Sequence, residues 1–204
     1  MLDSFKNNIN WLAQCKRRQY YPIDKSDRAR LNAFEYGWKS FNNLYSEIKH
    51  GTDREKMKLC VSKYINAEDF VKGNNKLILK YCNIDHEVYL ADDQYKALNP
   101  KISQQVNKLR LAMTNNAYSE SINYLLDTLY TVRNARVHGS FGTGKVHFNF
   151  LPKIIYTINI QILSGKLNVT TDFLQRVIDE EISMIKSNYS KISRKNSNTE
   201  KEKV

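Results

Sequence analysis

The sequence predicts an all-helical fold, a bundle of about five to seven helices with short extended segments allowed. Three observations carry this. Most long apolar segments repeat at three and four residues, strand-like alternation is confined to short stretches, and Gly51, Pro100 and Gly165 fall at the ends of periodic runs. A chain of 204 residues is long enough for one good core, and nothing in it reads as a linker joining two. Residues 1–186 therefore read as one helical domain, opening with an N-terminal helix and connector over 1–24. Residues 187–204 read as a basic polar tail, expected to be disordered for want of large apolar groups.

The elements follow in order. The first helix ends on Lys16, Arg17 and Arg18, whose charge suits the carbonyl end of a helix. Leu31, Phe34, Trp38, Phe41, Leu44, Tyr45 and Ile48 step by three and four, which predicts a helix over 27–48 with its stripe facing a core. Gly51 breaks it, and Thr52-Asp53-Arg54-Glu55 spells a capping box for a helix carrying Met57, Cys60, Val61, Tyr64 and Ile65. After Gly73-Asn74-Asn75 the pattern weakens, and 76–93 reads as a short helix followed by an extended piece near 86–90. Pro100 precedes a helix marked by Ile102, Val106, Leu109 and Met113. Ser119 or Ser121 is the expected cap of the next, whose Ile122, Leu125, Leu126, Leu129 and Val132 lead directly into Arg133. Val146, Phe148 and Phe150 alternate like a strand. Residues 154–163 alternate too and fit either state; we take them as helix, stopped by Gly165. Thr170 or Thr171 caps a last helix carrying Phe173, Leu174, Val177, Ile178, Ile182 and Ile185.

Charge narrows the partners. With 32 Lys and Arg against 21 Asp and Glu, the net charge of +11 favours a partner carrying phosphate. Six Lys or Arg and two Glu lie from residue 186 onward, so +4 belongs to the terminal segment and +7 to the body. Cys15, Cys60 and Cys82 are odd in number and sit in or beside apolar patterns, which fits reduced buried thiols and a cytoplasmic location better than a disulfide framework. Polar residues interrupt the N-terminus where a signal peptide would need an apolar run, and no stretch approaches membrane-spanning length. The expectation is a soluble protein without a membrane partner.

The segment richest in chemistry is Arg133-Asn134-Ala135-Arg136-Val137-His138-Gly139. A guanidinium offers a fixed fork of donors to phosphate oxygens, and an imidazole titrating near neutrality can move the protons that phosphodiester cleavage requires. On a regular helix Asn134 and His138 share a face, whereas Arg133 and His138 point about 140° apart at 3.6 residues per turn. One protomer presents that pair poorly to a single phosphate; two copies about a two-fold axis could bring Arg133 of one opposite His138 of the other, and fraying before Gly139 could also let the His swing round. The same residues also fit a plain helix end, with positive charge offsetting the carbonyl dipole and Gly139 as the αL stop.

Arg133 to Gly139 resembles the Arg-x4-6-His motif of HEPN-domain ribonucleases, including the Asn directly after the Arg and the Gly directly after the His. A second segment, Trp38-Lys39-Ser40-Phe41-Asn42-Asn43-Leu44-Tyr45, resembles the W-x2-F-N-x-L-Y signature of an early helix in several HEPN families, among them relatives of the ApeA-like group. The resemblance implies an all-helical homodimer that cleaves RNA without a metal or other cofactor, by attack of the 2′-hydroxyl on the neighbouring phosphorus. Arg133 would hold the phosphate, Asn134 would position or assist, and His138 would act as general base or acid. Asn42 would line the cleft and Arg136 would add a substrate contact. An antitoxin or other regulatory protein and a role in prokaryotic defence or a toxin-type system are further implications. Ser140 departs from the pattern, because toxins controlled by a nucleotidyltransferase commonly carry a modifiable Tyr there. The alternative is a HEPN-like dimer that binds RNA or protein without cutting.

Other motifs are weaker. Gly139 to Lys145 has the glycines and lysine of a P-loop, but Val146 replaces the magnesium-binding hydroxyl and the run follows a polar helix instead of a buried strand. Cys82 and His86 lack a second ligand pair for zinc, so no metal site is expected. Glu68-Asp69, Asp92-Asp93 and Glu180-Glu181 read as solvated surface, and His50 and His147 as surface or turn residues. Lys16, Arg17 and Arg18, followed by Tyr20 and Tyr21, are candidate RNA contacts that packing and helix-end charge explain equally well.

Overall fold

The computed structural model describes residues 2–20, 27–83, 98–138 and 149–201. Eight helices account for nearly all of them: α1 (Leu2–Tyr20), α2 (Asp27–Tyr45), α3 (Asp53–Tyr64), α4 (Ala67–Cys82), α5 (Leu98–Thr114), α6 (Tyr118–His138), α7 (Leu151–Leu167) and α8 (Thr171–Lys201). Among the described residues there is no strand, and no helix is long and apolar enough to cross a membrane. The expected helical bundle is therefore correct. The possible extended piece near 86–90 and most of that at 146–150 lie outside the described residues.

The helix count exceeds the expectation because local capping cuts one run in two. Thr52 forms the anticipated capping box, its hydroxyl accepting from Glu55 N at 3.3 Å while Thr52 N donates to Glu55 Oε2 at 2.7 Å. The helix then stops at extended Ile65, and Asn66 caps a new one by accepting from Asp69 N at 3.1 Å. That new helix passes straight through Gly73-Asn74-Asn75, where the apolar pattern weakens without the backbone turning.

Other boundaries also shift for local reasons. Ser121 is not a cap: it lies inside the first turn of α6, buried, with its hydroxyl donating to Ala117 O at 2.9 Å. Gly165 is not the stop of α7; Asn168 takes the left-handed conformation at φ 54°, and its N–H and that of Val169 both return to Ser164 O. Thr170 does cap the last helix, accepting from Phe173 N at 3.2 Å. That helix continues beyond Lys186 to Lys201.

α1 and α2 form an antiparallel hairpin, since Asn43 bonds Ser4, Ser40 bonds Asn8, and Arg18 lies against Tyr36. α5 and α6 pair likewise in space. α7 is the central helix, packed by α1, α2, α3 and α8. Its Ile154, Ile155, Tyr156, Ile158, Asn159, Ile160, Ile162 and Leu163 are all buried, and burial on every side erases the one-sided stripe that would have marked it as helical.

It passes close to α2 at Gly37, where a Cβ would stand 2.6 Å from Ile155 Cγ2. The bare backbone there lets Asn159 Nδ2 donate to Gly37 O at 2.7 Å, a buried bond linking α2 to α7. The stripe of α2 then builds an aromatic ladder, with ring centroids 6.1 Å apart for Phe34 and Trp38, 5.8 Å for Trp38 and Phe41, and 5.3 Å for Phe41 and Tyr45. The last two pairs are edge-to-face, an arrangement worth about 1 kcal/mol each beyond area burial.

Candidate active site

The stripe of α6 brings Arg133 to the aromatic ladder of α2. Its guanidinium carbon lies 5.8 Å from the centre of the Trp38 ring, and Arg133 Nη1 donates to Asn134 Oδ1 at 3.0 Å. Tyr130, one turn earlier on α6, meets the same tryptophan at 6.3 Å with a 54° tilt. Tyr45 closes the group: burial first and Asp53 second push its hydroxyl up from the ordinary tyrosine range, with Arg133 pulling the other way. A cation held over a ring and bonded at one edge is oriented before any ligand arrives. The two segments that carry the family resemblance therefore meet in space.

The backbone of α6 remains helical through Arg136 and His138, while their side chains lie outside the described residues. Helical continuity keeps Asn134 and His138 on one face and Arg133 about 140° from His138. Asn42 stands one turn beyond Trp38 on α2 and is exposed. Residues 139–145 of the P-loop-like run, together with His86, Asp92, Asp93 and His147, lie outside the described residues.

Lys16, Arg17 and Arg18 are not gathered at Arg133. Lys16 Nζ donates to both carboxylate oxygens of Asp179, at 2.8 and 3.0 Å, and to Gln175 Oε1 at 3.0 Å, which ties α1 to α8. Arg17 bonds Gln14 Oε1 at 3.2 Å, and Arg18 lies 5.3 Å from the centre of the Tyr36 ring. Lys16 thus bridges α1 to α8, and Arg18 packs on α2. Cys15, Cys60 and Cys82 are all buried and unpaired; burial pushes Cys15 up to about 12 and the other two to about 11. Glu68 pairs with Lys72 at 2.6 Å on the surface. Among the described residues no three metal-ligating side chains converge.

A second group lies on α6, outside every motif of the sequence. Asp127 Oδ1 lies 3.1 Å from Arg54 Nε and 2.9 Å from Lys58 Nζ, both of α3, while the Arg54 guanidinium sits 5.3 Å from the centre of the Tyr130 ring. Asp127, Tyr130, Asn134 and His138 recur at three and four residues, so one polar stripe of α6 joins the two groups. That spacing was visible in the sequence, although the cations of α3 that meet it were not.

Fold and site together define an all-helical bundle with an arginine oriented on a buried tryptophan at the start of an Arg-x4-His segment. No protein-family model matches the chain, and no curated protein or solved structure matches it either.

Proposed function

We propose that this chain is a metal-independent endoribonuclease of the HEPN type, acting as a homodimer on RNA. The observation that carries the reading is the contact of Arg133 with Trp38, because it joins the two segments whose spelling resembles that family. In the proposed reaction the 2′-oxygen attacks the adjacent phosphorus and the bond to the 5′-oxygen of the next nucleotide breaks. The products are a 2′,3′-cyclic phosphate and a 5′-hydroxyl. Arg133 stabilises charge growing on the phosphorane oxygens, and Asn134 holds one edge of its guanidinium. His138 takes the proton from the 2′-hydroxyl or delivers one to the leaving oxygen, contributions of about 100-fold or more each. The pathway proposed is prokaryotic defence or toxin-type growth arrest in the cytoplasm, with an antitoxin or other regulatory protein as a further component.

Purified protein incubated with RNA in EDTA tests this directly. Cleavage should occur, leave DNA of the same sequence intact, and disappear in Arg133→Ala and His138→Ala with the helical circular dichroism unchanged. Retained RNA binding without cleavage would move the assignment to the non-cutting dimer. Full activity in both variants would return the segment to a helix end.

A further inference from the structure

We propose that Arg54 and Lys58 of α3 form a phosphate-binding subsite for the RNA strand, removed along α6 from the bond that is cut. The inference rests on the RNA-cleaving reading of α6 and extends it to residues that neither family-like segment contains. Three observations converge on it.

Asp127 gathers both cations on one carboxylate oxygen, at 3.1 and 2.9 Å, so the group keeps one net positive charge. The carboxylate is largely covered, at 17 % exposure, while the Arg54 and Lys58 side chains remain 35 % and 32 % exposed. Asp127 thus fixes the cations from below and leaves them open to a ligand from above. Second, Asp127 and Tyr130 stand on the stripe of α6 that carries Asn134 and His138. Eleven residues separate Asp127 from His138, about 16 Å along the helix at 1.5 Å per residue. That exceeds the reach of the reacting nucleotide and suits a phosphate beyond the adjacent one along an extended single strand.

Third, the stripe leads into an open cleft of about 650 Å³ between α3 and α6, lined by His50, Glu55, Lys58, Leu59, Ser62 and Asn123 among others, with the Glu55 carboxylate turned to Thr52 in the capping box. Asn123 lies one turn before Asp127, so the cleft continues the same face of α6. A strand entering there passes Lys58 and Arg54 before it reaches Arg133. The intervening Trp38 and Tyr130 rings are in mutual contact, with a guanidinium on each, so the cations form one continuous row.

Fluorescence anisotropy with a labelled single-stranded RNA, titrated across several KCl concentrations, reads this subsite. A single-stranded DNA of the same sequence serves as an uncleaved second probe. Arg54→Gln and Lys58→Gln should each weaken binding about five- to tenfold and reduce the slope of log affinity against log salt by about 0.7. Lys72→Gln, which removes the same charge from α4, should change neither.

Asp127→Asn separates a binding role from a purely structural ion pair. It should tighten RNA binding and steepen the salt dependence, because it removes the carboxylate that lies against both cations. Loss of thermal stability in Asp127→Asn with unchanged RNA affinity, or unchanged affinity and slope in the two α3 variants, would overturn the subsite. Absence of cleavage by the wild type would count against the nuclease reading alone, since the binding measurements need no chemistry.

Discussion

The guanidinium of Arg133 lies over the indole of Trp38, 5.8 Å from the ring centre, although 95 residues separate them in the chain. The contact spans α2 and α6 at the point where the aromatic ladder meets the polar stripe. Trp38 is 7 % exposed, so the cation is held against the core instead of extending freely into water.

If that contact orients Arg133, a double-mutant cycle between Trp38→Leu and Arg133→Met should return a coupling of about 1 kcal/mol in thermal or urea unfolding. Trp38→Phe, which keeps a ring, should retain most of it. Additivity of the two single changes would show that proximity carries no interaction.

The five-residue spacing of Arg133 and His138 predicts complementation between inactive protomers. Co-expressed Arg133→Ala and His138→Ala should form hybrids with one intact composite site, restoring about a quarter of wild-type cleavage at random pairing. Inactive mixtures with confirmed subunit exchange would place each pair within one protomer.

Two glycines in helices should respond in opposite directions. Gly37→Ala forces a Cβ to within 2.6 Å of Ile155 Cγ2 and should cost about 1 to 3 kcal/mol of stability. Gly73 has nothing within 4 Å of its would-be Cβ, and Gly73→Ala should stabilise by about 0.5 to 1 kcal/mol. Chemical denaturation of both variants checks the pair, and equal shifts would contradict the close α2 and α7 crossing.

Thiol chemistry should report burial. With Cys15 pushed up to about 12 and Cys60 and Cys82 to about 11, native protein at pH 8 should react slowly with an aromatic disulfide reagent, and all three thiols should react at once in denaturant. Stoichiometric labelling of any of them on mixing would contradict the packing.

The capping box sets a pH dependence. Hydrogen bonds from the Thr52 backbone and hydroxyl hold Glu55 below the ordinary carboxylate range, so its contribution is present above the unfolded-state value and lost as pH falls through the folded one. The difference in melting temperature between wild type and Glu55→Gln should be present at pH 7 and close in acid. A constant difference across that window would assign the effect to something other than ionisation.

The helical class, the stripe of α2, the caps at Thr52 and Thr170 and the burial of the cysteines were legible in the sequence, because periodicity and capping are properties of neighbouring residues. Local signals could also mislead. Gly165 looked like a stop that Asn168 supplies, and the polar composition after Lys186 did not end α8. The all-round burial of α7 was not legible, since alternating Ile158, Ile160 and Ile162 fit a strand until four other helices surround them. The same limit applies to the site. A stripe on α6 says which residues share a face but not what meets that face. Only tertiary packing set Trp38 beneath Arg133 and brought Arg54 and Lys58 to Asp127, because contacts between distant segments depend on how helices cross and leave no periodic trace in either one.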